Sequence, residues 1–194
     1  MCLILLDSSV DKLAVGISNK NQLLDFIMYV AWQKQSEMMV YELDKLLKKN
    51  NIEKEDIEGI VVSIGPGSYT GVRIALTIAK TISLALTVPI YPISSLRVLS
   101  IESKPTICLI NARSNRSYFA VYKDDEVIVD DCIKTNDEVL NYIKENPNYL
   151  VSGSTKYLGI DNKETNELER MVSLFPILKR IDNPDLVKPV YMKD

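Results

Sequence analysis

Two short runs carry the residue types best suited to chemistry. Gly65-Pro66-Gly67-Ser68-Tyr69-Thr70-Gly71 follows an apolar run and opens a long apolar helix pattern. A strand, a Gly-rich turn and a helix start together place backbone N–H groups and the positive end of a helix dipole around an anion. It is not a Walker loop. That motif needs Gly-Lys-Ser/Thr after four intervening residues, where Thr70-Gly71-Val72 stands, and Thr70 also breaks a Gly-x-Gly-x-x-Gly spacing. Arg73 is the one cation nearby, set in the first helical turn where its charge opposes the dipole. The same glycines also suit a tight connection that permits only the turn and close packing; the residues leave both readings open. The second run, Asp7-Ser8-Ser9, ends an apolar segment and could hold a hydrated cation or a phosphate between hairpin strands. A clamp of that kind wants a second carboxylate from the facing half, where neutral Asn111 stands. An Asp that accepts turn amides is the preferred reading.

The chain has 194 residues, a formal charge of −3, 46% apolar residues and no histidine. The missing imidazole excludes Ser-His-Asp and Cys-His catalysis and His-ligated metals. Cys2, Cys108 and Cys132 lie in apolar or strand-like stretches without metal spacing, as buried reduced thiols do. The first residues lack the basic start and long apolar core of a signal peptide. The apolar run Thr81 to Leu96 is interrupted by Pro89 and Pro92 and falls short of the ~20 residues that span a bilayer. A cytoplasmic protein with no membrane contact is expected. Without a polybasic run the chain alone is a poor nucleic-acid binder.

The elements that must position these runs follow from periodicity. Cys2 to Asp7, Leu13 to Ile17 and Leu23 to Val30 read as a meander of strands, and Ser36 to about Lys49 as a helix. Ile57 to Ile64 reads as a buried strand that breaks into the Gly-rich turn, with a helix to about Leu86 and a short helix near Ser94 to Ile101. The second half repeats this outline. Thr106 to Ile110 ends at Asn111 as the first strand ends at Asp7, Ser117 to Tyr122 and Glu126 to Ile133 come next, and an Asn136 to Glu145 helix precedes Tyr149 to Gly153, which echoes Val61 to Gly65. After Gly153 there is neither a Gly-rich turn nor a long apolar helix. The division expected is an N-terminal lobe, residues 1–101, and a reduced C-terminal lobe, 102–194. The charges Lys123 to Glu126 and Asp130-Asp131 read as solvated hairpin residues.

On the helix after Gly71, Arg73, Thr77, Lys80 and Thr81 share one sector, while apolar residues from Val72 to Leu86 cover about 200°, twice the ~100° that packing on one core uses. The surplus predicts Ile74 and Ile78 in water unless another surface meets them, and burying two such side chains is worth about 3 to 6 kcal/mol. Met38 and Tyr41 project among charges on the earlier helix in the same way. An intermolecular helix contact is the leading reading, and cover by neighbouring helices of the same chain the alternative.

Leu5-Leu6-Asp7-Ser8-Ser9, Gln35-Ser36-Glu37, the Gly65 to Arg73 run, Ile93-Ser94-Ser95-Leu96, Asn111-Ala112-Arg113 and Pro189-Val190-Tyr191-Met192-Lys193 resemble the TsaB (YeaZ) family over nearly the whole chain. The resemblance implies an α/β ASKHA (actin-like ATPase, ribonuclease H-like) fold of two lobes, the second reduced. It further implies a non-catalytic scaffold subunit for threonylcarbamoyl transfer to N6 of adenosine 37 in tRNAs that read codons beginning with A. Such a subunit binds and activates the catalytic TsaD together with the ATPase TsaE, can pair with itself when isolated, and meets tRNA only indirectly. The family's helix contact carries over to Ile74, Ile78 and Ile82, and to Met38 and Tyr41. Asp7, Ser8, Gly65, Pro66, Gly67, Ser68, Thr70, Gly71 and Arg73 become a degenerate nucleotide or anion loop, with no cofactor held tightly and ATP or ADP placed only at the joint with TsaD. Gln35, Asn111 and Arg116 depart from the family's usual His, Asp and Glu, which weakens any remaining nucleotide site. The competing function is a small ATP-dependent phosphotransferase built on Asp7 and the Gly-rich loop, and it requires two complete lobes.

Overall fold

A computed structural model describes residues 2–31 and 34–192. Strand β1 (Cys2–Asp7) is apolar at almost every position because both its faces are covered. Cys2, Ile4 and Leu6 enter one core, and Leu3 and Leu5 the other. With β2 (Lys12–Ser18) and β3 (Leu23–Val30) it forms the antiparallel meander, and β4 (Ile57–Ser63) and β5 (Ile90–Ile93) add in parallel to give the order β3-β2-β1-β4-β5. Helices α1 (Gln35–Lys49) and α2 (Tyr69–Leu86) cover one face of this sheet. Helix α1 has Glu37 in its first turn and Lys48 and Lys49 in its last, each on the side its dipole favours. Helix α2 starts where Ser68 Oγ accepts from the Gly71 amide and ends at Thr87 in the left-handed conformation, φ 56°.

The second sheet repeats the plan. Strands β6 (Thr106–Arg113), β7 (Arg116–Lys123) and β8 (Glu126–Thr135) make the meander, α3 (Asn136–Glu145) comes next behind a Thr135–Glu138 capping box, and β9 (Leu150–Gly153) pairs in parallel with β6. The order β8-β7-β6-β9 is the first sheet's order without its last strand. The register alters one expected correspondence. Leu5 lies opposite Val61 and Leu109 opposite Gly153, so Gly153 matches Val61 and not Gly65, and β9 stops short of the residues that β4 carries past this point.

Three sequence expectations need correction. The short helix near Ser94 to Ile101 is only a 3-10 turn, Arg97–Leu99. Residues 102–194 do not form a separate lobe throughout: α4 (Glu167–Leu174) returns to the open face of the first sheet, where Leu168, Met171, Val172 and Leu174 pack with Leu3 and Leu5. Ile181 bridges Ile90, and Val187 joins the core beneath α1 and α2. On packing, the second lobe ends near Thr165, because the uncovered face of the first sheet needs an apolar layer that the shortened second half alone does not supply. Asp131 is not a solvated hairpin charge either. It is half-buried and accepts from Ser94 Oγ at 2.5 Å and from the Tyr122 hydroxyl, joining the lobes.

The stripe on α2 is also only partly surplus. Ile74, Ile78 and Ile82 are half-buried and pack against the core shared with α1, so their own chain takes up part of what the helical wheel left over. The exposed apolar side chains of this layer are Leu84 (66%), Tyr69 (56%), Tyr41 (54%) and Val40 (53%). Leu84 shares the outward side with the polar sector of Arg73, Thr77 and Lys80.

Candidate functional site

Asp7 and its repeat-related counterpart Asn111 both line a cleft of about 460 Å³ between the lobes, together with Ser9, Lys12, Lys156, Lys163 and Glu167 among others. Asp7 is buried at its floor, accepting from the Ser9 amide through Oδ1 at 2.6 Å and from Ser63 Oγ through Oδ2 at 2.7 Å. Burial pushes its carboxyl above the usual range, and the Ser9 and Ser63 hydrogen bonds pull back. Both oxygens therefore already hold protein donors. Across the cleft Asn111 Oδ1 accepts from the Arg113 amide at 2.8 Å, the same i to i+2 bond on a neutral side chain. No β9 residue reaches Asn111 as Ser63 reaches Asp7, since β9 ends opposite Leu109. Glu167, from the returning α4, sits 3.6 Å from Lys12 and is likewise pushed up by burial.

The Gly-rich loop packs onto the β1–β2 turn. A Cβ on Gly71 would lie 1.8 Å from the Ser8 carbonyl oxygen, and one on Gly67 2.2 Å from that of Ser9. Ser8 Oγ donates to the Gly71 carbonyl at 2.8 Å and the Ser68 amide to the Ser9 carbonyl at 2.6 Å. The Gly65 amide goes to Ser95 Oγ, that of Gly71 to Ser68 Oγ and that of Val72 to the Ser68 carbonyl. Four N–H groups of an anion cradle are thus committed within the protein, and the glycines are needed for backbone approach. The Gly65–Pro66 peptide is cis, and Thr70 stands exposed in the first turn of α2.

Arg73 turns away from the loop. Its guanidinium lies 4.2 Å from the centre of the Tyr69 ring, and Nε donates to the Tyr191 hydroxyl at 2.7 Å. The Tyr191 hydrogen bond holds its charge more firmly than usual. The two tyrosine rings are 5.1 Å apart. Beside them a shallow depression of about 390 Å³, mostly apolar, runs between the starts of α1 and α2 past Ser36, Ile74 and Ile78. Met38 is half-buried on α1, Tyr41 stands out, and Lys45 lies 5.1 Å from the Tyr41 ring centre.

The family model described as TsaD: tRNA N6-adenosine threonylcarbamoyltransferase matches residues 29–156. TsaB, the tRNA threonylcarbamoyladenosine biosynthesis protein of Bacillus subtilis, is 31% identical over 63% of this chain and 56% of its own length. The chain belongs to this family, on its TsaB (YeaZ) branch. An uncharacterized Mycoplasma genitalium protein, MG208, is 29% identical over 95% of this chain and 83% of its own. YeaZ from Pseudomonas aeruginosa shares the fold, with a TM-score of 0.77 and 18% identity over 98% of this chain and 99% of that one. The α/β architecture of two sheets, the second reduced, is the one the YeaZ structures have.

For a TsaB-family chain, sequence reading singled out the loop, Asp7 and the α1–α2 layer, and the fold brings Gly71 against Ser8 and Gly67 against Ser9, whose amide bonds Asp7. It missed what lies far off in sequence. Arg170 on α4 is 7% exposed, donates through Nε to Ser100 Oγ at 2.9 Å and through Nη2 to the Asp124 carbonyl at 3.2 Å, and pairs with Glu102 at 3.5 Å. Tyr191, 118 positions from Arg73, was visible only as part of a closing motif, whose last residue, Lys193, lies outside the described residues. Among the described residues no helix is long and apolar enough to cross a membrane.

Proposed function

We propose that this TsaB-family protein is a non-catalytic scaffold: it binds TsaD through the α1–α2 layer and, with TsaE, supports threonylcarbamoyl transfer to N6 of adenosine 37 in tRNA. The observation that carries this reading is the contrast between an outward helix layer and a spent cleft. Val40, Tyr41 and Tyr69 stand more than half exposed on the two helices that also carry the half-buried Met38, Ile74, Ile78 and Ile82. Meanwhile Asp7 at the cleft and four amides of the Gly-rich loop beside it are already bonded within the chain. Exposed aromatic and aliphatic side chains grouped on one layer suit a protein interface. A phosphotransferase built on Asp7 and the Gly-rich loop would rely on carboxylate oxygens and amides that are here bonded within the chain, with neutral Asn111 at the facing position. ATP or ADP, where it binds, belongs at the joint with TsaD rather than in this cleft, and the same layer pairs two copies in isolation.

The test is size-exclusion light scattering of the chain mixed with TsaD, with wild type and Ile78→Glu. A charge buried at this contact weakens the complex at least a hundredfold while circular dichroism shows an unchanged fold. An Ile78→Glu chain that stays folded and still forms the complex overturns the assignment.

A further inference from the structure

The segment of chain that closes the fold contributes to the same layer. The Val190 amide donates to the Ile64 carbonyl at 2.7 Å, and the Val190 carbonyl oxygen lies 2.6 Å from where a Cβ on Gly65 would be. Val187, 2% exposed, anchors the segment in the core. Tyr191 is thereby delivered beside Tyr69, and its hydroxyl takes the Nε of Arg73. The guanidinium lies over the Tyr69 ring with its Nε edge occupied, and among the described residues the groups that hold it are two tyrosines and no carboxylate. Helix α2 has no acidic residue at all. Arg73 also borders the apolar depression with Ile74 and Ile78.

We propose that Tyr191 is a positioning residue that aims Arg73 at a carboxylate on the helix of a non-identical partner, so that the contact consists of an apolar centre and one directed ion pair at the Arg73 end. This rests on the scaffold reading above. A guanidinium that lies over Tyr69 and is tied at Nε has lost rotamer freedom before the partner arrives, and its remaining planar edge suits a carboxylate in two-point contact. A non-identical partner fits better than a second copy. The α2 helix of a second copy would bring Arg73 and Lys80 again and no carboxylate to meet them. Tyr and Arg are also the residue types enriched where interface energy concentrates.

The probe is the TsaD subunit, with affinity measured at low and high salt. Arg73→Ala is expected to weaken binding about tenfold at low salt and far less at high salt, because a rim ion pair is screened. Arg73→Lys restores little, lacking the planar fork. Tyr191→Phe, which keeps the ring and removes only the hydroxyl, lowers affinity about threefold and flattens the salt dependence, a change that a purely structural role for the ring does not produce. If Ile78→Glu abolishes binding while Arg73→Ala and Tyr191→Phe leave both affinity and salt slope unchanged, the directed pair is wrong and the scaffold reading survives. If Ile78→Glu itself binds normally, the scaffold reading has failed first. If instead Glu37→Gln abolishes self-association with the same salt signature and TsaD binding is unaffected by Arg73→Ala, the carboxylate comes from a second copy and the proposal is overturned.

Discussion

The two sheets share a plan and part company beyond the parallel strand that pairs with each hairpin. In the first, β4 runs on beyond its pairing with Leu5, so that Ser63 reaches Asp7, the Gly-rich loop folds down onto Ser8 and Ser9, and α2 leaves on the far side. In the second, β9 ends opposite Leu109, Asn111 accepts the Arg113 amide of its own turn, and a short 3-10 turn replaces the long helix. The hairpin at the heart of each lobe is kept because it is the core: Phe119, Val121, Ile107 and Leu109 are as buried as Leu3 to Leu6. The parts that differ are those that would face a ligand or a partner. The first lobe holds the helix layer and the second holds none of comparable length, so the long outward helices belong to one half and the cleft lies between the two.

Gly71→Ala should break this contrast most severely. The added methyl meets a backbone oxygen at 1.8 Å, which no side-chain shift relieves, and a loss of about 3 kcal/mol or more is expected in a denaturant titration. Arg170→Ala acts on the joint rather than on either lobe. It strands Ser100 and Asp124 groups that the guanidinium now ties together, and should cost about 2 to 3 kcal/mol, with hydrogen exchange rising around residues 97–102 and 124 before it rises in β1.

Asp7→Asn makes the first turn resemble the second, and its effect should be the smallest and opposite in sign. The folded carboxyl sits above its unfolded value, so the folded state binds more protons than the unfolded one between the two. The stability tied to this group is complete below the unfolded value and is lost as pH rises through the folded one. Asparagine keeps the acceptor for the Ser9 amide and carries no charge, as Asn111 does for Arg113. Thermal melts should therefore show Asp7→Asn at least as stable as wild type at neutral pH, with the difference closing in acid. A variant clearly less stable at neutral pH would mean that the buried charge is favourable where it stands.

Most of the fold was legible because periodicity and turn residues were locally consistent. The strands from Cys2 to Val30, the helix from Ser36 and the repeat from Thr106 all appear within a residue or two of their expected ends. The errors fall where a distant segment decides the outcome. Arg170 reads as part of a polar tail unless α4 is known to cap the first sheet, and Asp131 reads as solvated unless Ser94 and Tyr122 are known to converge on it. The helical wheel of α2 has the right apolar width but not its cover, because a wheel contains no information about α1 beside it or Tyr191 at its start. The glycines of the loop are ambiguous in sequence for the same reason: only the positions of the Ser8 and Ser9 carbonyls decide between a cradle for a ligand and a cradle for backbone.

The claim that the helix layer, and not the cleft, does the work is tested most directly by reconstituting threonylcarbamoyladenosine formation on tRNA with TsaD, TsaE and either Asp7→Ala or Ile78→Glu in place of the wild-type chain. The account predicts modification with Asp7→Ala close to the wild-type rate and none above background with Ile78→Glu. Loss of modification with a folded Asp7→Ala, together with full activity from Ile78→Glu, would contradict it.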